Sequence, residues 1–290
     1  MLDEPRSGRL AAWGNALLAG LISPDDAVHR IVGDDAVHRV ADLPGESAPV
    51  GLSLALGRLR TLGAIGMRVA LPVPGHPLGL SGPPDFNARA LQAGEAVIAS
   101  GAPLGLVPEV REAGPDVDLP AEDVHIEVVW HCLPVREAPP ADVPSLGEAE
   151  RELAEALRDA TEMLAGLDVA GSGPLAQAAL DAYRARSEHG REVLAPGYPA
   201  RAVRVLELAQ RVGALVSIAY GPDGPSGPPG PVGTVRGDGR RDRDRREYGG
   251  AVSASEIAAR AEVLRPVERT ARRAQVAAYN AYVEELERGR

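Results

Sequence analysis

The sequence predicts an α/β amino-terminal domain, a small mixed or mostly parallel sheet with flanking helices, followed by an all-α helical bundle. Three observations carry this. Residues 52–99 read helix, strand, Gly/Pro loop, helix, the succession of an open α/β sheet, in which ligands sit beyond the carboxyl ends of strands. Residues 133–144 hold four prolines and no sustained periodicity, so they read as a linker. Beyond Ser145, apolar residues recur at three-and-four spacing. The expected boundaries are an α/β domain over 1–135, a linker over 136–144 and a bundle over 145–290, with a disordered insertion at about 221–250.

The bulk composition narrows the chemistry. The chain has 290 residues, 44% of them hydrophobic and only 3% aromatic, so its cores must be built from Leu, Val and Ala. All 31 basic residues are arginine. The absence of lysine excludes a Schiff base, a Walker phosphate loop and a lysine-dependent kinase site. A formal charge of −10 opposes nonspecific binding to nucleic acid or to an anionic membrane. One cysteine, Cys132, can neither form an internal disulfide nor supply a zinc cluster, which fits a reducing cytoplasm. Asp3 and Glu4 stand where a signal peptide needs positive charge, so a cytoplasmic location is expected.

Taken in order, Ser7 is expected to cap a helix running to about Leu21, with Trp13 as a core anchor. Ser23-Pro24-Asp25-Asp26 starts a short helix that Gly33 ends. The hexapeptide DDAVHR occurs at Asp25–Arg30 and again at Asp34–Arg39; the first copy reads as helix, the second as the entry to a strand over His38–Leu43. A helix is expected over Val50–Leu62, a central strand over Met67–Val73 and a helix over Pro84–Ala99. Leu104–Val107 and Val124–Cys132 read as two further strands, antiparallel and near a sheet edge. In the bundle, Ser145-x-x-Glu148 and Ser253-x-x-Glu256 are capping boxes. Helices are expected from the first box, over Pro174–Val193, over Pro199–Tyr220 and from the second box, with Pro266 breaking or kinking the last.

The candidate ligand-binding residues lie in the loop after the central strand: His76, Ser81, Asp85, Asn87 and, one turn into the following helix, Arg89. A strand, Gly-rich loop and helix can present amides to an anion, yet the spacing matches no nucleotide fingerprint and Asp85 places negative charge at the helix start. A tight connection with a capped helix explains the same residues. In Val124–Cys132, period-two alternation puts His125, Glu127, Val129 and His131 on one face and Ile126, Val128, Trp130 and Cys132 on the other. His125 and Glu127 could share a metal, but no third ligand is identifiable, and a solvated strand face is the simpler reading. Arg236–Arg246 interleaves arginine with Asp238, Asp242 and Asp244, a solvated polyampholyte rather than a nucleic-acid site.

The run ALGRLRTLGAIGMRVALPVPGHPLGLSGPPDFNARALQAGEAVI is similar to an uncharacterised family of high-GC actinobacterial proteins with no assigned activity. The resemblance implies a bacterial cytoplasmic protein and transfers no site residues. No metal and no cofactor are expected, and catalytic residues are not identifiable. The function expected is a non-catalytic binding or regulatory protein, its partner a small molecule or a protein rather than nucleic acid or a membrane. The alternative is a small-molecule hydrolase or transferase using the crevice formed by loop 75–87.

Overall fold

The structure is a computed structural model that describes residues 4–113, 125–136, 138–166, 194–220 and 254–289. Among the described residues six strands form one sheet: β1 (Val37–Ala41), β2 (Val50–Gly51), β3 (Gly66–Ala70), β4 (Ala96–Ser100), β5 (Leu104–Ala113) and β6 (His125–Pro134). The helices described are α1 (Arg6–Leu18), α2 (Pro24–Val32), α3 (Leu52–Thr61), α4 (Pro84–Ala93), α5 (Leu146–Gly166), α6 (Ala200–Tyr220) and α7 (Ala254–Arg288). The spatial order is β2-β1-β6-β5-β4-β3, and every pairing is antiparallel except that of β1 with β6. An amino-terminal mixed sheet with flanking helices, then carboxy-terminal helices, is therefore the architecture. None of the described helices is long and apolar enough to cross a membrane.

The two faces of the sheet are covered unequally. One face meets α1, α3 and α7, and its buried side chains, among them Met67, Val97, Leu106, Val128 and Trp130, are continuous with those of α5, α6 and α7. On the other face α4 buries Phe86 and Ala90 against Ala70, Ala96, Ile98 and Val107 in a separate small cluster. The aromatic-poor composition shows in this packing: Gly105 leaves the space that Phe86 fills, a Cβ there standing 2.4 Å from the ring.

Several element ends depart from the periodicity. The helix expected over Pro84–Ala99 stops at Ala93, because Gly94 takes a left-handed conformation (φ 75°) that ends it, and residues 96–100 form β4. All five β4 residues are buried, so the run shows no alternation and cannot be told from a buried helix by period alone. Val50 and Gly51 pair with β1 before α3 begins at Leu52. Ser7 lies inside α1 rather than capping it; α1 follows Pro5, and the carboxylate of Glu95 accepts a hydrogen bond from the Ser7 N–H at 2.7 Å. Burial pushes the Glu95 carboxyl above its ordinary pKa, against the opposing pull of Ser7, Arg6 and Arg9. Helix α7 continues through Pro266, which is exposed, so the carbonyl that loses its donor can turn to water. The helix expected over 174–193, Ser253 of the second capping box and the insertion at 221–250 lie outside the described residues.

Both serine caps form as their spacing predicts. The Ser23 side chain accepts from the Asp26 N–H at 3.1 Å, and the Ser145 side chain from the Glu148 N–H at 3.3 Å. The two copies of DDAVHR adopt unlike structures: His29 is exposed in α2, whereas His38 is buried in β1. The difference is tertiary. The first copy has a capped start, and the second is drawn into the ladder beside β6.

Strand β3 sits at the edge of the sheet, not at its centre, while the antiparallel pair β5 and β6 occupies the middle. β3 is nonetheless buried, because α1 and α7 flank it and two asparagines act as a further strand. Asn15 of α1 accepts from the Met67 N–H at 2.7 Å and donates to the Met67 carbonyl at 3.1 Å. Asn280 of α7 does the same to Val69, at 2.7 and 3.1 Å. The next outward-facing group, the Leu71 N–H, donates to the Leu78 carbonyl at 3.0 Å. Alternate residues of the edge are thus satisfied one after another, which removes the template that an open edge offers to other chains. Asn15 also donates to the Tyr198 hydroxyl, which donates to the Tyr279 carbonyl, both at 3.0 Å, so the same side chain ties the sheet to the later helices.

Gly79 completes this corner. Its φ is +93°, and a Cβ would stand 2.7 Å from the carbonyl oxygen of Val69, the atom to which Asn280 donates. Gly79→Ala is expected to lower stability by roughly 2 kcal/mol or more, from the left-handed backbone together with the displaced carbonyl. Urea unfolding at unchanged m-value checks this.

Candidate functional site

The part of the sheet's second face formed by β1, β6 and β5 is polar. Register places Arg111 opposite Glu127, Val129 between Arg39 and Glu109, and His131 between Ala41 and Val107. The alternation expected for β6 holds: Val128, Trp130 and Cys132 are buried toward the main core, while His125 and Glu127 are exposed on the other face. β5 runs on to Ala113, past the expected end at Val107, and so brings Glu109 and Arg111 onto this face. Pro108 conceals that extension in the sequence, and V-P-E-V-R-E-A has no strict period-two alternation to reveal it.

His131 is the centre of the face. Its Nε2 lies 2.8 Å from Glu109 Oε2 and its Nδ1 lies 3.1 Å from Asp42 Oδ2. Two carboxylates can only accept, so below the raised pKa both ring nitrogens donate and the ring is an imidazolium. Burial pulls the His131 pKa down, but the hydrogen bonds to Glu109 and Asp42 and their charges outweigh it and raise the value above the ordinary 6.5. Glu109 also accepts from Arg111 at 2.9 and 3.0 Å, and these hydrogen bonds with that of His131 hold its carboxyl down to about 2. Asp42, with φ +59°, turns back from the end of β1 to reach the ring.

The folded-state pKa of His131 is the higher one, so its pairing stabilises the fold fully below the ordinary pKa and is lost as pH rises through the raised value. Glu109→Gln and Asp42→Asn are each expected to lower the His131 pKa, read from ring resonances in an NMR titration.

Asp35, His38 and Cys132 are buried, and the first two are committed to partners. Asp35 accepts from Arg6 at 2.8 and 2.9 Å and from Arg9 at 2.8 Å, and its Oδ2 lies 2.9 Å from His38 Nε2. Trp130 Nε1–H donates to His38 Nδ1 at 3.3 Å, which fixes the tautomer with the proton on Nε2 facing Asp35. Gly33 leaves room for Arg9, whose Nη1 would lie 2.1 Å from a Cβ there. Burial pushes the Cys132 thiol up to about 11, with the Asp42 charge acting in the same direction.

The residues expected in loop 75–87 act as a strap. His76 Nδ1 lies 3.9 Å from Asp142, the Gly79 N–H donates to the Ala141 carbonyl at 2.8 Å, and Ser81 Oγ stands 3.5 Å from the Ala138 carbonyl. Asp142 also meets Arg273 of α7 at 3.5 Å, and Arg273 pairs with Glu152 of α5 at 2.9 Å. Asp85 and Arg89 are exposed on α4, and Asn87 turns a buried Oδ1 toward Gly82. His76 and Ser81 therefore share the segment 138–142, while Asp85 and Arg89 point to solvent. His125 and Glu127 belong to no group of three or more metal-ligating side chains among the described residues.

A cleft of about 210 Å³ opens elsewhere, where the starts of α5 and α6 meet the end of α7. Ser145, Arg201, Glu285 and Arg288 line it. Arg201 pairs with Glu150 at 2.7 Å and Arg288 with Glu284 at 3.0 Å.

Residues 7–145 match the family described as "Rv1486c-like protein, N-terminal domain" and residues 147–229 its "C-terminal domain". The chain is 32% identical to the uncharacterised protein Rv1486c of Mycobacterium tuberculosis, over 73% of this chain and 82% of that one. It is 29% identical to the uncharacterised protein MAV321 of Mycobacterium avium and 28% identical to ML1804 of Mycobacterium leprae, each over 94% of this chain and 95% of the relative. No solved structure matches. The chain belongs to the Rv1486c-like family of actinobacterial proteins.

Proposed function

We propose that this is a non-catalytic binding or regulatory protein of the cytoplasm. The observation that carries the reading is the double commitment of His131, whose two ring nitrogens both face carboxylates. An imidazolium so held has no lone pair for proton abstraction, nucleophilic attack or metal ligation, and serves instead as a fixed charge on an ordered surface. His38 and Asp35 support it from the interior, each engaged at both ends. A cysteine that is buried and resists ionisation fits a reducing compartment.

The test is native mass spectrometry of protein purified gently from its own host without chelator. A macromolecule that co-purifies, and is lost with Arg39→Glu or Glu127→Arg on the polar face, is the expected result. A turnover of a small molecule abolished by His76→Ala or Asp85→Ala would overturn the proposal in favour of an enzyme at loop 75–87.

A further inference from the structure

The outer edge of β5 faces no other strand among the described residues beyond Val107, where Pro108 is buried and residues 109–112 are exposed, and we infer that it pairs with the same edge of a second copy, two-fold about Val110, to form a homodimer. The direction of the backbone groups follows from the hydrogen bonds. The Val135 N–H donates to the Pro103 carbonyl at 2.9 Å, so odd-numbered residues of β5 turn their N–H and C=O toward β6. The bond from the Ala36 N–H to the Ile126 carbonyl, 2.8 Å, agrees, since it sends the even-numbered residues of β6 toward β1. Even-numbered residues of β5 therefore face β4. Leu104 and Leu106 meet Ala99 and Val97 there, and β4 begins at Ala96. Beyond that point, Pro108, Val110 and Glu112 turn their backbone groups outward to no strand among the described residues. The Val110 side chain is 45% exposed.

Two features select a second copy as the occupant. A two-fold axis at Val110 sets Val110 against Val110, Pro108 against Glu112 and Glu109 against Arg111. Glu109 of each copy then lies directly across from Arg111 of the other, an opposite-charge cross-strand pair made twice by symmetry. Each Val110 N–H donates to the other copy's Val110 carbonyl, and these are the two central bonds of the pairing. Proline has no N–H, so pairing centred on residue 108 would lose its central bonds, while a centre at residue 111 would set Arg111 against Arg111; Val110 is the centre that avoids both. Five residues a side is a small interface, so dimerisation depends on protein concentration.

Sedimentation velocity of the full chain across a concentration series tests this. The wild type is expected to pass from monomer to dimer. Val110→Pro removes an outward N–H that the ladder to β6 does not use, and should weaken association at least ~10-fold with the circular dichroism spectrum unchanged. Arg111→Glu sets like charges across the axis and should also weaken it, and the exchange Glu109→Arg with Arg111→Glu should restore it. In a Cys132→Ser background, Val110→Cys should form a disulfide-linked dimer faster than Leu54→Cys on exposed α3, because cross-axis Cα atoms at ~5.5 Å suit a disulfide. A monomer at every concentration overturns the proposal, as does a dimer that neither Val110→Pro nor Arg111→Glu weakens.

Discussion

Asn280→Ala should lower the stability of the protein by roughly 2–5 kcal/mol, because it leaves both the N–H and the carbonyl of Val69 buried without a partner. A deletion of one hydrogen bond at the surface would cost about 1 kcal/mol or less. The larger figure rests on burial: Asn280 is 0% exposed, and Val69 is covered by the same helices. Asn280→Asp tests the direction of the pairing. The carboxylate can still accept from the Val69 N–H, but it then faces the Val69 carbonyl without a donor, so it should not rescue stability. Equilibrium urea unfolding of both variants reads the effect. Amide exchange at Met67 and Val69 reads its site, since these edge-strand amides should be protected in the wild type and Val69 should lose that protection first.

Asp35→Ala is expected to cost about 3–5 kcal/mol, the range for removing one member of a buried ionic cluster. It strands Arg9, whose side chain is 12% exposed, and takes the acceptor from the His38 Nε2 proton. The same site makes a pH prediction. Burial alone raises the Asp35 pKa, but the hydrogen bonds from His38 and Arg6 and the charges of Arg6 and Arg9 carry it well below the ordinary 3.8. The folded-state value is the lower one, so this stabilisation is present above the ordinary pKa and is lost as pH falls through the depressed value. In the Asp35→Ala variant the acid limb of the stability profile should be shallower than in the wild type, most visibly below the ordinary 3.8, measured by thermal unfolding from neutral pH into the strongly acid range.

The elements whose ends carry side-chain signals were legible in the sequence: Ser23 before α2, Ser145 with Glu148 before α5, and the period-two pattern of β6. Strand β4 was not, since a fully buried strand of Ala, Val and Ile has no polar side to betray its period, and only Gly94 marks the break. The order of strands was hidden for a different reason. The apolar run at β3 suggests a central strand, and what covers its edge is two asparagines, one in the first helix and one in the last, separated by most of the chain. Nothing local to Asn15 or Asn280 distinguishes them from surface residues. The polar face was half legible. His131 and Glu127 follow from alternation, but Asp42 and Glu109 reach His131 through register and a left-handed turn that one strand's pattern does not contain.

The reading of this protein as a non-catalytic binder rests on histidines that hold charge and structure rather than moving protons. Ring nitrogen-15 chemical shifts of His131, recorded at pH 6, test it most directly. The account predicts a His131 ring protonated on both nitrogens. A bare nitrogen on His131 at that pH would contradict it, because the ring would then have a lone pair free for chemistry.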